Sequence, residues 1–247
     1  MPDPARTPRD SALRIGLVLP DILGTYSDAG NAQVLRRRTQ WRGIAATVTE
    51  IRHGEPVPSS LDLYLLGGGE DDAQALAVNH LRAHPGLQHA VARGAVVFGV
   101  CAGFQILGTE FTTSDGVTHT GLGLLDAGTA PGKRRAVGEV VVDVAAELGT
   151  EPLTGFENHL GRTRIGPGSR TLGSVRAGTG NGDGTEGALT GRVLGTYLHG
   201  PALARNPALA DLLLGWSLGA PPAALPLPEI GALRQERLRA AKRGLRR

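Results

Sequence analysis

Three times within the first hundred residues, a short aliphatic run stops at glycine or proline and gives way to a segment of helical periodicity. Leu13 to Leu19 ends at Pro20-Asp21, Leu61 to Leu66 runs into Gly67-Gly68-Gly69, and Ala95 to Val100 runs into Cys101-Ala102-Gly103. Runs of this length, apolar throughout rather than alternating, suit strands buried on both faces. Helical patterns from Asn31 (Val34, Leu35, Trp41) and over Ala73 to Arg82 separate them, with a further strand at Ala46 to Ile51. Alternating strands and helices predict an α/β domain with a mostly parallel central sheet covered on both faces. In such sheets active residues gather beyond the carboxyl ends of the strands, where both the Gly67 run and Cys101 fall.

From Gly121 to Val193 the pattern changes to glycine-rich segments with short alternating runs such as Val137 to Val144, which predict antiparallel strands or hairpins. Gly178 to Gly187 reads as a mobile loop. Asn206-Pro207 is a cap and first turn for a helix reaching Leu218, followed by a proline linker, Pro221 to Pro228, and a basic amphipathic helix from Glu229. With 247 residues, the expected organisation is a disordered segment over 1–12, one catalytic domain over 13–218, and the linker with its helix over 219–247.

Composition removes several classes. One cysteine can form neither an intrachain disulfide nor a multi-cysteine metal site, and it points to a reducing compartment. The segment Met1 to Ser11 is polar and no stretch reaches spanning length, so the expectation is a cytoplasmic chain without membrane insertion. Lys and Arg exceed Asp and Glu by 26 to 23, but only 4% of residues are aromatic. No basic run is interleaved with stacking side chains, which argues against nucleic acid.

The sharpest chemical signal is Gly99-Val100-Cys101-Ala102-Gly103 between a strand and the helical Phe104-Gln105-Ile106-Leu107. It has the form of a nucleophile elbow, in which small neighbours let a strand turn abruptly into a helix and expose the side chain at the bend. A lone cysteine is more often an inert core residue; the strand–turn–helix context reverses that weighting. Of seven histidines, His80, His84 and His89 fall in a surface helix and turn, whereas His199 follows the strand-like Val193 to Leu198 and precedes Gly200-Pro201. It is the expected base. The backbone N–H groups of Gly68 and Gly69, with that of Ala102, are the expected oxyanion donors. No glycine run leads into Gly-Lys-Ser/Thr, so no nucleotide loop of that type is present.

Gly99 to Gln105, with Gly67-Gly68-Gly69 and a late histidine, resembles the class I glutamine amidotransferases in their cobyric-acid-synthase-like branch. Four further stretches are similar to the GatD group, the glutaminase subunits of lipid II isoglutaminyl synthases: Pro20 to Tyr26, Trp41-Arg42-Gly43, Gly155 to His159 and Tyr197 to Pro201. The resemblance spans about Leu13 to Leu218. It implies a three-layer, flavodoxin-like domain, with Cys101 as nucleophile, His199 as catalytic histidine and Arg135 as the residue binding L-glutamine. Arg134 is the rival for that last role. No cofactor is expected in this chain; ATP and magnesium belong to the implied partner, a MurT-like Mur ligase. A corrinoid-type acceptor or a non-catalytic interaction protein are the alternatives.

The chain departs from the family pattern at Pro201, where most members place a glutamate that completes a triad. The third member is then missing, internal, or lent by the partner. Glu157, Asp126 and Asp211 cannot be ranked, and the expectation is an acid from the ligase.

Overall fold

The computed structural model describes residues 12–24, 28–145, 148 and 151–244. Most of the segment expected to be disordered, 1–11, and the Thr25-Tyr26 end of one family-like stretch lie outside them.

The chain runs β1 (Leu13–Val18), α1 (Gly30–Gln40), β2 (Ala46–Ile51), β3 (Leu63–Leu66), α2 (Asp71–Ala83), α3 (Gly86–Ala92), β4 (Val96–Val100) and α4 (Ala102–Leu107). Next come β5 (Glu110–Thr112), β6 (Thr118–Thr120), β7 (Ala127–Val144), β8 (Leu153–Ile165), β9 (Gly173–Ala177), β10 (Thr185–Glu186), β11 (Ala188–Thr190) and β12 (Val193–Thr196). The last elements are α5 (Ala202–Arg205), α6 (Pro207–Leu218) and α7 (Pro228–Gly244).

The first sheet has the order β11-β12-β4-β3-β1-β2, parallel except for β11, which pairs antiparallel with β12. Every residue of β3, β4 and β12 is buried, as the unbroken aliphatic runs require of strands covered on both faces. Helices α1, α5 and α6 pack together and against β1, β2 and β4, whereas α2 meets α4, which lies on β3, β4 and β12. Along α1, the buried positions Asn31, Ala32, Leu35, Arg38 and Thr39 form one stripe. Its polar members are paired: Asn31 Oδ1 accepts from Leu203 N at 2.9 Å, and Arg38 meets Asp211 at 2.6 Å.

The glycine-rich middle forms the antiparallel strands expected of it, but longer than the short runs suggest. β7 and β8 form one long antiparallel ribbon whose register shifts between Pro131 and Ala136. With β5, β6, β9 and β10 it makes a second sheet. The alternation in β7 is legible only beyond the irregular stretch, since glycine and proline there mask the strand.

Two further expectations are corrected. The 178–187 segment is pinned rather than loose: Glu157 accepts from Thr179 N and Gly180 N at 2.7 and 2.9 Å, and the buried Asn181 bonds Thr185 Oγ1 and Gly187. His80 is buried, with Nε2 2.9 Å from the Glu55 carbonyl. At the end of the described chain, α7 is held by Arg234, whose guanidinium reaches Arg205 O, Asn206 Oδ1, Pro152 O and Glu151.

Candidate active site

Sheet order brings the chemistry together. β12, β4, β3 and β1 are neighbours, and the segments leaving their carboxyl ends carry His199, Cys101, the Gly67 run and Asp28. Cys101 stands directly after β4, its N–H donating to Thr196 O on β12 at 2.9 Å. Its backbone has φ 53° and ψ −108°, a conformation that costs a non-glycine residue of order 1–3 kcal/mol and is kept at functional turns. The elbow forms because its neighbours are small. A Cβ on Gly99 would come within 2.7 Å of Leu107 Cδ1, and one on Gly103 within 2.7 Å of Leu66 Cβ.

His199 is 1% exposed, and its main chain exchanges two hydrogen bonds with Phe156 on β8, at 2.9 and 3.1 Å. The second sheet thus fixes the histidine that ends the first. Nδ1 lies 3.1 Å from Asp28 Oδ2 and 3.3 Å from Oδ1, and the ring also interacts electrostatically with Cys101. Burial disfavours the imidazolium, yet Asp28 and Cys101 outweigh it and lift the His199 pKa from 6.5 to about 9. At neutral pH the ring is therefore charged.

Asp28 escaped the sequence reading. It is buried, and besides His199 it takes the Gly68 N–H at 3.0 Å. The carboxylates considered earlier are committed elsewhere: Asp126 to Gly168 N, Asp211 to Arg38 and Arg42, Glu157 to Thr179, Gly180 and His159. No acid from another chain is needed to pair His199. Pro201, at the position of the absent glutamate, instead packs on the first residue of α1: a Cβ on Gly30 would sit 2.5 Å from Pro201 Cγ. That contact docks the start of α1, and with it Asp28, beside the histidine. The usable signal was position, since Asp28 lies in the loop leaving a parallel strand.

Gly68 also needs correction. Its N–H is engaged by Asp28 and is not open to an oxyanion. A Cβ there would meet His199 Cε1 at 3.1 Å, Asp28 Oδ2 at 3.3 Å and Cys101 Cβ at 3.4 Å, so this glycine is the floor on which the three side chains converge. The amides of Gly69 and Ala102 have no hydrogen-bond partner among the described residues.

The cavity at Cys101 is lined by Gly69, Ala102, Gln74, Gln105, Arg135 and Asn158, among others. Arg135 belongs to it; Arg134 does not, and its carbonyl accepts from Arg162. The cavity floor is a polar chain: Gln74 Nε2 donates to Gln105 Oε1 at 2.8 Å, Gln105 Nε2 to the Tyr197 hydroxyl at 3.0 Å, and Thr163 Oγ1 lies 2.7 Å from that hydroxyl. His159 stacks on Tyr197 with centroids 3.7 Å apart and its Nδ1 3.0 Å from Gly161 O. It is a wall of the cavity, with His199 alone on Asp28.

No helix among the described residues is long and apolar enough to cross a membrane.

The chain is 40% identical over 200 residues, 79% of its length and 80% of the relative's, to lipid II isoglutaminyl synthase (glutamine-hydrolyzing) subunit GatD of Staphylococcus aureus. It is 31% identical over 211 residues, 83% of its length and 80% of the relative's, to the subunit of the same name from Streptococcus pneumoniae. A crystal structure of a glutamine amidotransferase superposes with a TM-score of 0.58 at 22% identity, over 82% of this chain and 98% of the other, and so shares the fold. Residues 14–207 match the CobB/CobQ-like glutamine amidotransferase domain, and the chain belongs to that family.

Proposed function

We propose that this chain is a cytoplasmic glutaminase subunit that releases ammonia from L-glutamine for a MurT-like ligase. That ligase uses ATP and magnesium to amidate the D-glutamate of lipid II to D-isoglutamine. The observation that carries the reading is the buried Asp28–His199 pair set on Cys101 at the strand ends. The GatD likeness supports the acceptor and the partner.

The steps follow from the geometry. Beside the charged His199, Cys101 attacks the side-chain carboxamide carbon of glutamine through its sulfur, the thiolate being the nucleophilic form. The Gly69 and Ala102 amides receive the developing oxyanion. As the tetrahedral adduct collapses, the C–N bond breaks, His199 Nε2 gives its proton to the leaving nitrogen, and ammonia departs from a γ-glutamyl thioester. Neutral His199 then takes a proton from water. The resulting hydroxide adds to the thioester, glutamate leaves, and the thiolate–imidazolium pair returns. Asp28 holds Nδ1–H throughout, which keeps Nε2 toward the sulfur and stabilises the charged ring. Arg135 holds the α-carboxylate of glutamine.

The test measures glutamate release and lipid II amidation by the purified chain with ATP, with and without a Mur-ligase-like subunit. Amidation requiring both proteins supports the proposal. Glutamate release with lipid II left unamidated would move the acceptor to another class, such as a corrinoid; no glutamate in either state would leave an interaction protein.

A further inference from the structure

Arg135 is an exposed residue at the end of the irregular stretch of β7, where pairing with β8 loses register between Pro131 and Ala136. A long side chain on such a stretch has many rotamers, and recognition of a carboxylate needs the guanidinium plane held at one angle. One contact supplies that. Arg135 Nε donates to Asn158 Oδ1 at 2.6 Å. Asn158 sits in the regular part of β8, opposite Val137, and both side chains line the cavity containing Cys101.

We infer that Asn158 is a positioning residue: its carboxamide oxygen fixes Arg135 through Nε and leaves the two terminal nitrogens to grip the α-carboxylate of glutamine end-on. The inference rests on the reading of Arg135 as the carboxylate binder. It sets Arg135 apart from the neighbouring Arg134, which has no such tether among the described residues and lies outside the cavity. It also excludes lysine at position 135, which has no nitrogen to spare for a tether while pairing with both carboxylate oxygens.

Cys101 is the only cysteine, so its alkylation by iodoacetamide reports site occupancy in the full-length chain without requiring turnover. The experiment compares the concentrations of L-glutamine and of L-glutaminamide, whose α-carboxylate is replaced by a neutral amide, that halve the alkylation rate. In the unaltered chain glutamine should protect at a concentration roughly 10- to 150-fold lower than the amide. Asn158→Leu should shrink that ratio about fivefold or more, by weakening glutamine while leaving glutaminamide within about twofold. A merely structural role would weaken both ligands alike and overturn the inference. Asn158→Asp, which keeps an acceptor at the same place, should retain the ratio to within a few-fold. If Asn158→Leu fails to fold, Asn158→Ala makes the same comparison. An unchanged ratio in the Asn158 variants, with Arg135→Ala abolishing it, refutes the positioning role alone. An unchanged ratio in Arg135→Ala refutes the carboxylate reading and this inference with it.

Discussion

Replacing Asp28 with asparagine changes one charge at almost constant volume, and two consequences follow from its contacts. The carboxamide oxygen can still accept from Gly68 N–H, which turns the NH₂ group toward His199 Nδ1. A ring whose Nδ1 accepts carries its proton on Nε2 and cannot take one from Cys101. By analogy with the same exchange in serine proteases, turnover should fall roughly 10²- to 10⁴-fold. The second consequence is a pH-dependent loss of stability. Despite burial, Asp28 and Cys101 raise the His199 pKa from 6.5 to about 9, which at about 1.36 kcal/mol per pKa unit is worth about 3 kcal/mol. A raised pKa means that the folded chain binds this proton more tightly. The contribution is therefore complete below pH 6.5 and vanishes as pH rises through about 9. Since Cys101 supplies part of the shift, Asp28→Asn should remove about 1–2 kcal/mol of it, with the loss largest at about pH 6 and small above pH 9. Urea unfolding at the two pH values and glutaminase rates with and without a ligase partner read both effects. Wild-type turnover by Asp28→Asn, together with unchanged stability at both pH values, would refute the reasoning. Rescue only in the presence of the ligase would return the third carboxylate to the partner chain.

Cys101→Ser and His199→Ala should each abolish glutamine hydrolysis, His199→Ala also melting below the parent because it strips buried Asp28 of its partner, whereas His159→Ala, which loses the stack on Tyr197 and the contacts with Gly161 O and Glu157, should retain turnover; steady-state rates and thermal melts separate them. Arg135→Ala should raise the KM for glutamine roughly 10- to 150-fold, the loss of about 1.5–3 kcal/mol of charge-assisted contact, with Arg134→Ala close to parent. Gly68→Ala places a methyl 3.1 Å from His199 Cε1 and 3.4 Å from Cys101 Cβ; kcat should drop about tenfold or more for a displacement of a few tenths of an ångström, and unchanged kcat would disprove the convergence on this glycine. Glu186 is fully buried and accepts from Thr196 Oγ1 and Tyr197 N, and burial pushes its pKa from 4.5 up to about 7. Its ionisation costs stability progressively as pH rises from 4.5 through 7, so Glu186→Gln should raise the unfolding midpoint at about pH 8 and change it little near pH 4.

Much of the site was legible because it is written locally. The elbow needs a strand, small residues and a helix in succession, and all lie within Val96 to Leu107. The polar neighbours of Arg135 were not legible, since Asn158 meets it only through the β7–β8 pairing across a register shift. Gly68 misled for a related reason. A glycine run announces accessible amides, but whether an amide is taken depends on which side chain the fold lays against it, and Asp28 arrives from 40 residues away.

The sequence by itself determined the parallel α/β class and the placing of Cys101 and His199 just beyond strand ends, because hydrophobic period and turn chemistry act over a few residues and are readable one segment at a time. Tertiary structure alone decided which carboxylate meets His199, which amides near Cys101 lack a partner among the described residues, and the cavity walls. Those depend on sheet order, which sets β12, β4, β3 and β1 side by side, and on the contact of Gly30 with Pro201 that docks the start of α1. Asp28 and His199, 171 residues apart, are joined by packing that no local pattern encodes.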